Sequence, residues 1–147
     1  MIRVVRNPAE AEVKFECTMC GECCLGTSME LLTDDMERIV GLGYGLDQFA
    51  ARGSDGVWRL RNVDGHCVFY DPDSKRCRIY ESRPIGCRLY PLNYDDEEGA
   101  VVDKACPAWR TVPPSEKKRL GRLLQLFVEE TQRTDDEVRL LRLMGKL

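Results

Sequence analysis

The longest regular pattern of apolar and polar positions lies near the end of the chain. In PPSEKKRLGRLLQLFVEETQRT, Leu120, Leu123, Leu124, Phe127, Val128 and Thr131 recur at i, i+3, i+4, i+7, i+8 and i+11. That is one face of an amphipathic helix, and Ser115 is placed to cap it. The following DDEVRLLRLMGKL opens on acids, as a helix start favours, and sets Val138, Leu141 and Met144 on one side. Together they predict a helical hairpin over 113–147, packed on what precedes it. The same hairpin is the candidate surface for a protein partner or for self-association.

Upstream the periods shorten. Val13 and Phe15 alternate with polar residues in EVKFE and predict a short strand. LLTDDMERIVGLG predicts a short helix, with Thr33 as cap, Asp34 and Asp35 at its positive end and Gly41 as its stop. GLDQFAARG predicts a further turn or two of helix ending near Gly53. Beyond it VWRL, CVFY and CRIY are strand-like, and DPDSKR between the last two is hairpin-loop chemistry. Two prolines in RPIGCRLYP predict an irregular loop, and the acidic DDEEG turn leads to AVV, an edge strand. The expected class is α+β: a small irregular metal-stabilised cysteine-cluster domain of short strands and short helices over 1–112, with C-terminal helices over 113–147.

Length and charge narrow the function. A chain of 147 residues is one domain by size. Its net charge of −3 argues against a nucleic-acid binder. No stretch approaches the roughly 18 apolar residues of a membrane span. MIRVVRNPAEAEVKF shows no secretory pattern, so a cytoplasmic location with reduced thiols is expected. Disulfides are the exception reserved for hyperthermophile proteins.

Against this background stand eight cysteines: Cys17, Cys20, Cys23, Cys24, Cys67, Cys77, Cys87 and Cys106. A C-x2-C step lets two thiolates converge on one ion. Here two such steps follow one another, which resembles the opening of a ferredoxin cluster loop, where a fourth, often remote, cysteine completes the set. Cys24 departs from that pattern. Neighbours in an extended segment point to opposite sides, so Cys23 and Cys24 more easily face two centres than one. Eight thiolates make two sets of four, or one multinuclear centre sharing loop 17–24. The expected cofactor is an iron–sulfur cluster or zinc, iron–sulfur slightly favoured; spacing does not say which cysteines share a centre.

Thiolate centres carry negative charge, and Lys75, Arg76, Arg78, Arg83, Arg88, Lys104 and Arg110 are interleaved with the later cysteines. Most are expected to be solvated surface; Arg83 and Arg88, flanking Cys87, are the candidates to support the sulfurs. His66 is the lone histidine and reads as polar surface, so a Cys–His nucleophile is not expected. No catalytic residue is identified.

FECTMCGECC, then LTDDMERI, then CVFYDPDSKRCRIYESRPIGCRLYP and a last cysteine resemble the YkgJ-type CxxCxxCC family, described as zinc- or iron-chelating cysteine-cluster domains. The resemblance implies that all eight cysteines chelate, and that Arg83, Pro84, Arg88 and Pro91 belong to a second hallmark block. Related clusters occur in flagellin lysine methylases. The resemblance therefore also implies, as an alternative, an iron–sulfur enzyme or an accessory subunit of a protein-modifying system.

Overall fold

The structure, a computed structural model, describes residues 8–17, 20–132 and 137–145. It is α+β: among the described residues, helices alternate with four separate two-stranded antiparallel pairs. In chain order these are α1 (Thr33–Val40), α2 (Leu46–Phe49), β1 (Ala50–Arg52) with β2 (Trp58–Leu60), and β3 (Asn62–Val63) with β4 (His66–Cys67). There follow β5 (Tyr70–Asp71) with β6 (Arg76–Cys77), α3 (Ile85–Leu89), β7 (Leu92–Asp95) with β8 (Gly99–Val102), α4 (Pro114–Thr131) and α5 (Glu137–Leu143). Among the described residues no helix is long and apolar enough to cross a membrane.

Two apolar cores organise these pieces. The first gathers Met36 and Ile39 of α1, Leu46 and Phe49 of α2, Leu60 of β2 and Phe69. Phe49 and Phe69 pack with ring centroids 5.7 Å apart. Only the first turn of GLDQFAARG is helical; the next three residues form β1, because Ala50–Arg52 finds a partner in β2. The predicted cap of α1 also differs. Thr33 is its first helical residue, and the Asp35 carboxylate accepts from the Leu32 N–H at 3.0 Å. A side chain three residues into the helix thus satisfies the free donor before it.

The second core gathers Ala11, Val13, Ile85, Leu89, Leu92 and the inner face of α4. That face is the predicted one: Leu120, Leu124, Phe127 and Thr131 are buried. Each fully buried Leu or Phe stabilises by about 1.5–3 kcal/mol. The helix begins two residues earlier than a cap at Ser115 implies, at Pro114, a position that tolerates proline because its N–H would have no helical partner anyway. The block RPIGCRLYP is not an irregular loop. Its two prolines flank a helix rather than interrupt it: Pro84 precedes α3, and Pro91 follows it after a cis peptide bond. Val13 and Phe15 do not join a strand. Val13 N–H donates to the Arg88 carbonyl at 3.1 Å, so this segment is held by α3.

The C-terminal helices pack on different elements. α4 covers β7, β8 and α3, whereas α5 lies against α1, where Arg139 pairs with Asp34 and Glu37. Of the predicted inward face of α5, Met144 packs on the first core. Leu140 is buried in the first core, with Leu143 and Met144 packed beside it; the side chain of Val138 lies outside the described residues.

Glu116, buried near the start of α4, accepts from the Lys14 N–H at 2.6 Å and pairs with Arg119. The hydrogen bond from Arg119 is the main cause that lowers its carboxyl from 4.5 to about 2. The unfolded chain titrates at the ordinary value, so this contribution is present above about pH 4.5 and fades as pH falls towards 2. Glu116→Gln is therefore expected to flatten the acid limb of the stability curve, read as denaturation midpoint against pH. An unaltered acid limb would exclude that linkage.

Candidate metal centre

The cysteine loop is anchored at both ends. On entry, Glu16 N–H donates to Thr111 Oγ1 at 3.0 Å. On exit, Leu25 forms an isolated bridge with His66, and Gly26 N–H donates to the Gly65 carbonyl at 2.8 Å. Between them the chain turns at Gly21, at φ 78°, and enters a 3-10 turn over Glu22–Cys24. Cys23 and Cys24 are therefore not in an extended segment. With three residues per turn their side chains diverge by about 120° rather than 180°. The turn leaves their sulfurs within hydrogen-bond reach of each other.

Gly21 is a fixed requirement of this loop. A Cβ there would lie 2.8 Å from Tyr70 Cε2 and 3.0 Å from the Lys75 carbonyl, on a backbone at positive φ. Gly21→Ala is expected to cost about 1–3 kcal/mol through strain and overpacking. The loop should lift off the β5–β6 hairpin, and metal content should fall with it. An unchanged melting temperature together with full metal content would contradict this placement.

The other four cysteines come from separate elements. Cys67 ends β4, and Cys77 ends β6 opposite Tyr70. Cys87 is on α3. Cys106 is in the turn after β8, where its N–H donates to the Asp103 carbonyl at 3.2 Å and its carbonyl accepts from Trp109 N–H. All eight line one cavity of about 290 Å³, walled on its apolar side by Phe15, Met29, Leu60 and Phe69. Cys17, Cys20 and Cys23 are exposed at its mouth; Cys67 and Cys106 are buried. No disulfide joins any of them among the described residues.

Burial and mutual repulsion set the thiol chemistry. Burial is the first cause that raises Cys67 to about 11, and it also raises Cys77 and Cys106. It raises Cys87 well above its ordinary value, and nearby Cys67, Cys23 and Cys77 add to the effect. The Cys24 thiol donates to the Cys23 sulfur, which lowers Cys23 to about 7 and raises Cys24. Thiols so crowded resist ionisation together unless a cation joins them.

Of the interleaved cations, Lys75, Arg76 and Arg83 line the cavity. The Arg83 guanidinium stacks on Tyr80, 3.9 Å from the ring centroid, pairs with Glu12 at 2.6 Å, and favours the thiolates of Cys23 and Cys77. Arg88 does not line it. Buried behind α3, Arg88 reaches Glu12 and the Glu81 and Arg83 carbonyls, so it holds the hallmark block together. Lys104 and Arg110 lie over the Trp109 ring, and Arg78 donates to the Val68 carbonyl. His66 stacks edge-on against Tyr70 and places Nδ1 2.9 Å from the Cys67 carbonyl, outside the cavity wall.

Asp35 is the supporting residue that the cysteine pattern does not signal. Fully buried, it accepts from Ile85 N–H at 3.0 Å as well as from Leu32, and so ties α1 to the helix that carries Cys87. Burial raises its carboxyl, opposed by Arg38 and by those two N–H donors. Its spacing after Leu32 is that of a capping residue, the one trace of this role in the sequence.

Among the described residues, no three Cys, His, Asp or Glu side chains already stand in a metal-holding arrangement. The donor set fits a metal on its chemistry. Eight sulfurs with no imidazole suit zinc or iron–sulfur and do not suit magnesium or calcium. Binding free energy can supply the final convergence, since metal sites are rarely preformed.

Comparison with known proteins agrees with this chemistry. The model of the CxxCxxCC family, described as "Putative zinc- or iron-chelating domain", matches residues 16–107, a span that holds all eight cysteines. Uncharacterized protein MJ0661 of Methanocaldococcus jannaschii is 30% identical over 95 residues, which is 61% of this chain and 51% of that protein. The chain spans about half the length of that curated relative. No solved structure matches.

Proposed function

The chain belongs to the CxxCxxCC family of zinc- or iron-chelating domains, and from that premise we propose that its eight thiolates hold iron–sulfur, in two centres, with a structural or electron-transfer role. One observation carries this reading: cysteines spread over ninety residues of chain line a single cavity. The successive C-x2-C steps favour iron. Zinc is the second reading, because four-thiolate sites are a usual structural form of zinc and the cavity has an apolar wall.

An iron–sulfur cluster, when bound, supplies one-electron redox chemistry. The protein's own residues do the rest. The thiolates bind; Lys75, Arg76 and Arg83 offset their negative charge; Phe15, Leu60 and Phe69 limit water on the inner side.

Purification without oxygen, visible absorption, and a count of iron, acid-labile sulfide and zinc per chain test the proposal. Iron and sulfide in equal amounts with a brown colour are expected. A colourless protein holding about two zinc ions would replace iron by zinc and make the centres structural. Absence of both metals from protein with intact thiols would overturn both readings.

A further inference from the structure

We infer that the eight cysteines divide into an inner centre on Cys24, Cys67, Cys77 and Cys87 and an outer, more readily exchanging centre on Cys17, Cys20, Cys23 and Cys106. This rests on the proposed metal-binding function and extends it to the grouping of ligands. Two features of the fold lead to the same division.

The first is packing. Cys67 is part of the first apolar core, and Cys24, Cys77 and Cys87 pack against it. Cys17, Cys20, Cys23 and Cys106 belong to neither core nor to the residues packed on either. The first core therefore holds four cysteines and leaves four off it, three of them exposed and Cys106 buried in its own turn.

The second is how the backbone is tied. Downstream of the loop, the Leu25–His66 bridge lies next in sequence to both Cys24 and Cys67. Arg78 N–H, adjacent to Cys77, donates to the Phe69 carbonyl at 2.7 Å, so the β5–β6 hairpin continues from the same corner. Met29 lies under α3: a Cβ on Gly86, next to Cys87, would fall 2.2 Å from the Met29 sulfur. Upstream of the loop, Glu16 is tied to Thr111, and the turn that holds Thr111 is closed onto Cys106 and Ala108. One end of the loop is thus fastened beside Cys67, the other beside Cys106.

The boundary falls inside the 3-10 turn over Glu22–Cys24, where Cys23 and Cys24 are hydrogen-bonded to each other and the two sets meet. The outer set is then the three successive cysteines plus the remote Cys106-Pro107 step, a complete four-thiolate set. The inner set takes one cysteine from each of four separate segments.

The two centres differ in what they hold and what reaches them. Three of the four outer ligands are exposed, so solvent and chelators have access to that centre first. The inner ligands are half-buried or buried against the core. Metal release from the intact protein into excess chelator is therefore expected in two phases of equal amplitude, the first at least tenfold faster.

Single variants assign the phases. Cys20→Ser and Cys106→Ser should each halve the metal content and abolish the fast phase, with the near-ultraviolet spectrum of the core retained. Cys17→Ser combined with Cys20→Ser should lose no more metal than either alone. Cys77→Ser should remove the slow phase instead; should it fail to fold, the outer-set variants still decide the matter.

Release in one phase, loss of all metal on Cys20→Ser, or retention of the fast phase in Cys106→Ser would overturn the division while leaving the metal-binding function in place. A wild-type protein that carries no metal would overturn the function itself.

Discussion

Removing the metal is expected to unfold the cysteine half of the protein. Its four strand pairs contain only two to four residues per strand, and none joins another into a larger sheet. Isolated pairs of this kind are marginal in water. The loop over 20–26 is held by one 3-10 turn, a single bridge and a few backbone hydrogen bonds. For zinc in small metallodomains, binding contributes on the order of 10–16 kcal/mol, against a total stability of about 5–15 kcal/mol for an ordinary domain.

The expected result of treating the protein with an excess of a zinc or iron chelator is loss of the near-ultraviolet signal from Tyr70, Phe69 and their neighbours. Part of the far-ultraviolet helix signal should persist, because α4 packs on the second core, which contains no cysteine. The check is circular dichroism and a thermal melt before and after chelation. A metal-free protein that melts at the same temperature with the same cooperativity would show that the metal does not hold the fold.

The second large effect is expected at Asp35. Its two oxygens satisfy the Leu32 and Ile85 N–H groups and a guanidinium nitrogen of Arg38, at 2.9–3.0 Å. The carboxylate is fully buried. Asp35→Ala leaves buried donors and a partly buried positive charge without their acceptor, a loss of about 3–5 kcal/mol. It also releases the start of α3, so metal content should decline along with stability. Asp35→Asn retains an acceptor and should cost less, about 1–3 kcal/mol. Urea midpoints for the two variants, compared with Asp55→Ala at the exposed Arg59 pair, test the argument. Equal midpoints for Asp35→Ala and Asp55→Ala would rule it out.

Several features of this protein can be read from the chain because they depend on near neighbours. The inward face of α4 follows from a periodicity that six apolar or β-branched residues repeat without interruption. The β5–β6 hairpin follows from DPDSKR, where Asp71 accepts from Asp73 N–H and Ser74 Oγ to build the turn. Metal chemistry follows from donor type: sulfur ligands at C-x2-C steps limit the choice of ion whatever the fold.

Other features come from partners far away in sequence. RPIGCRLYP becomes a helix because Asp35, fifty residues earlier, accepts from Ile85 N–H, and because both prolines fall outside the helical turn. Ala50–Arg52 is a strand rather than more helix because β2 is beside it. Leu140 is the inward residue of α5 because α1 orients the helix through Arg139. In a seven-residue helix that constraint outweighs a weak apolar stripe.

The chain by itself determined the donor set, eight thiols with soft ligand character and C-x2-C spacing, since these are properties of the residues. Only the tertiary structure brought Cys106 to the entry of the loop and Cys67 to its exit, since which distant segments meet depends on how two cores and a few long-range hydrogen bonds close the loops between them.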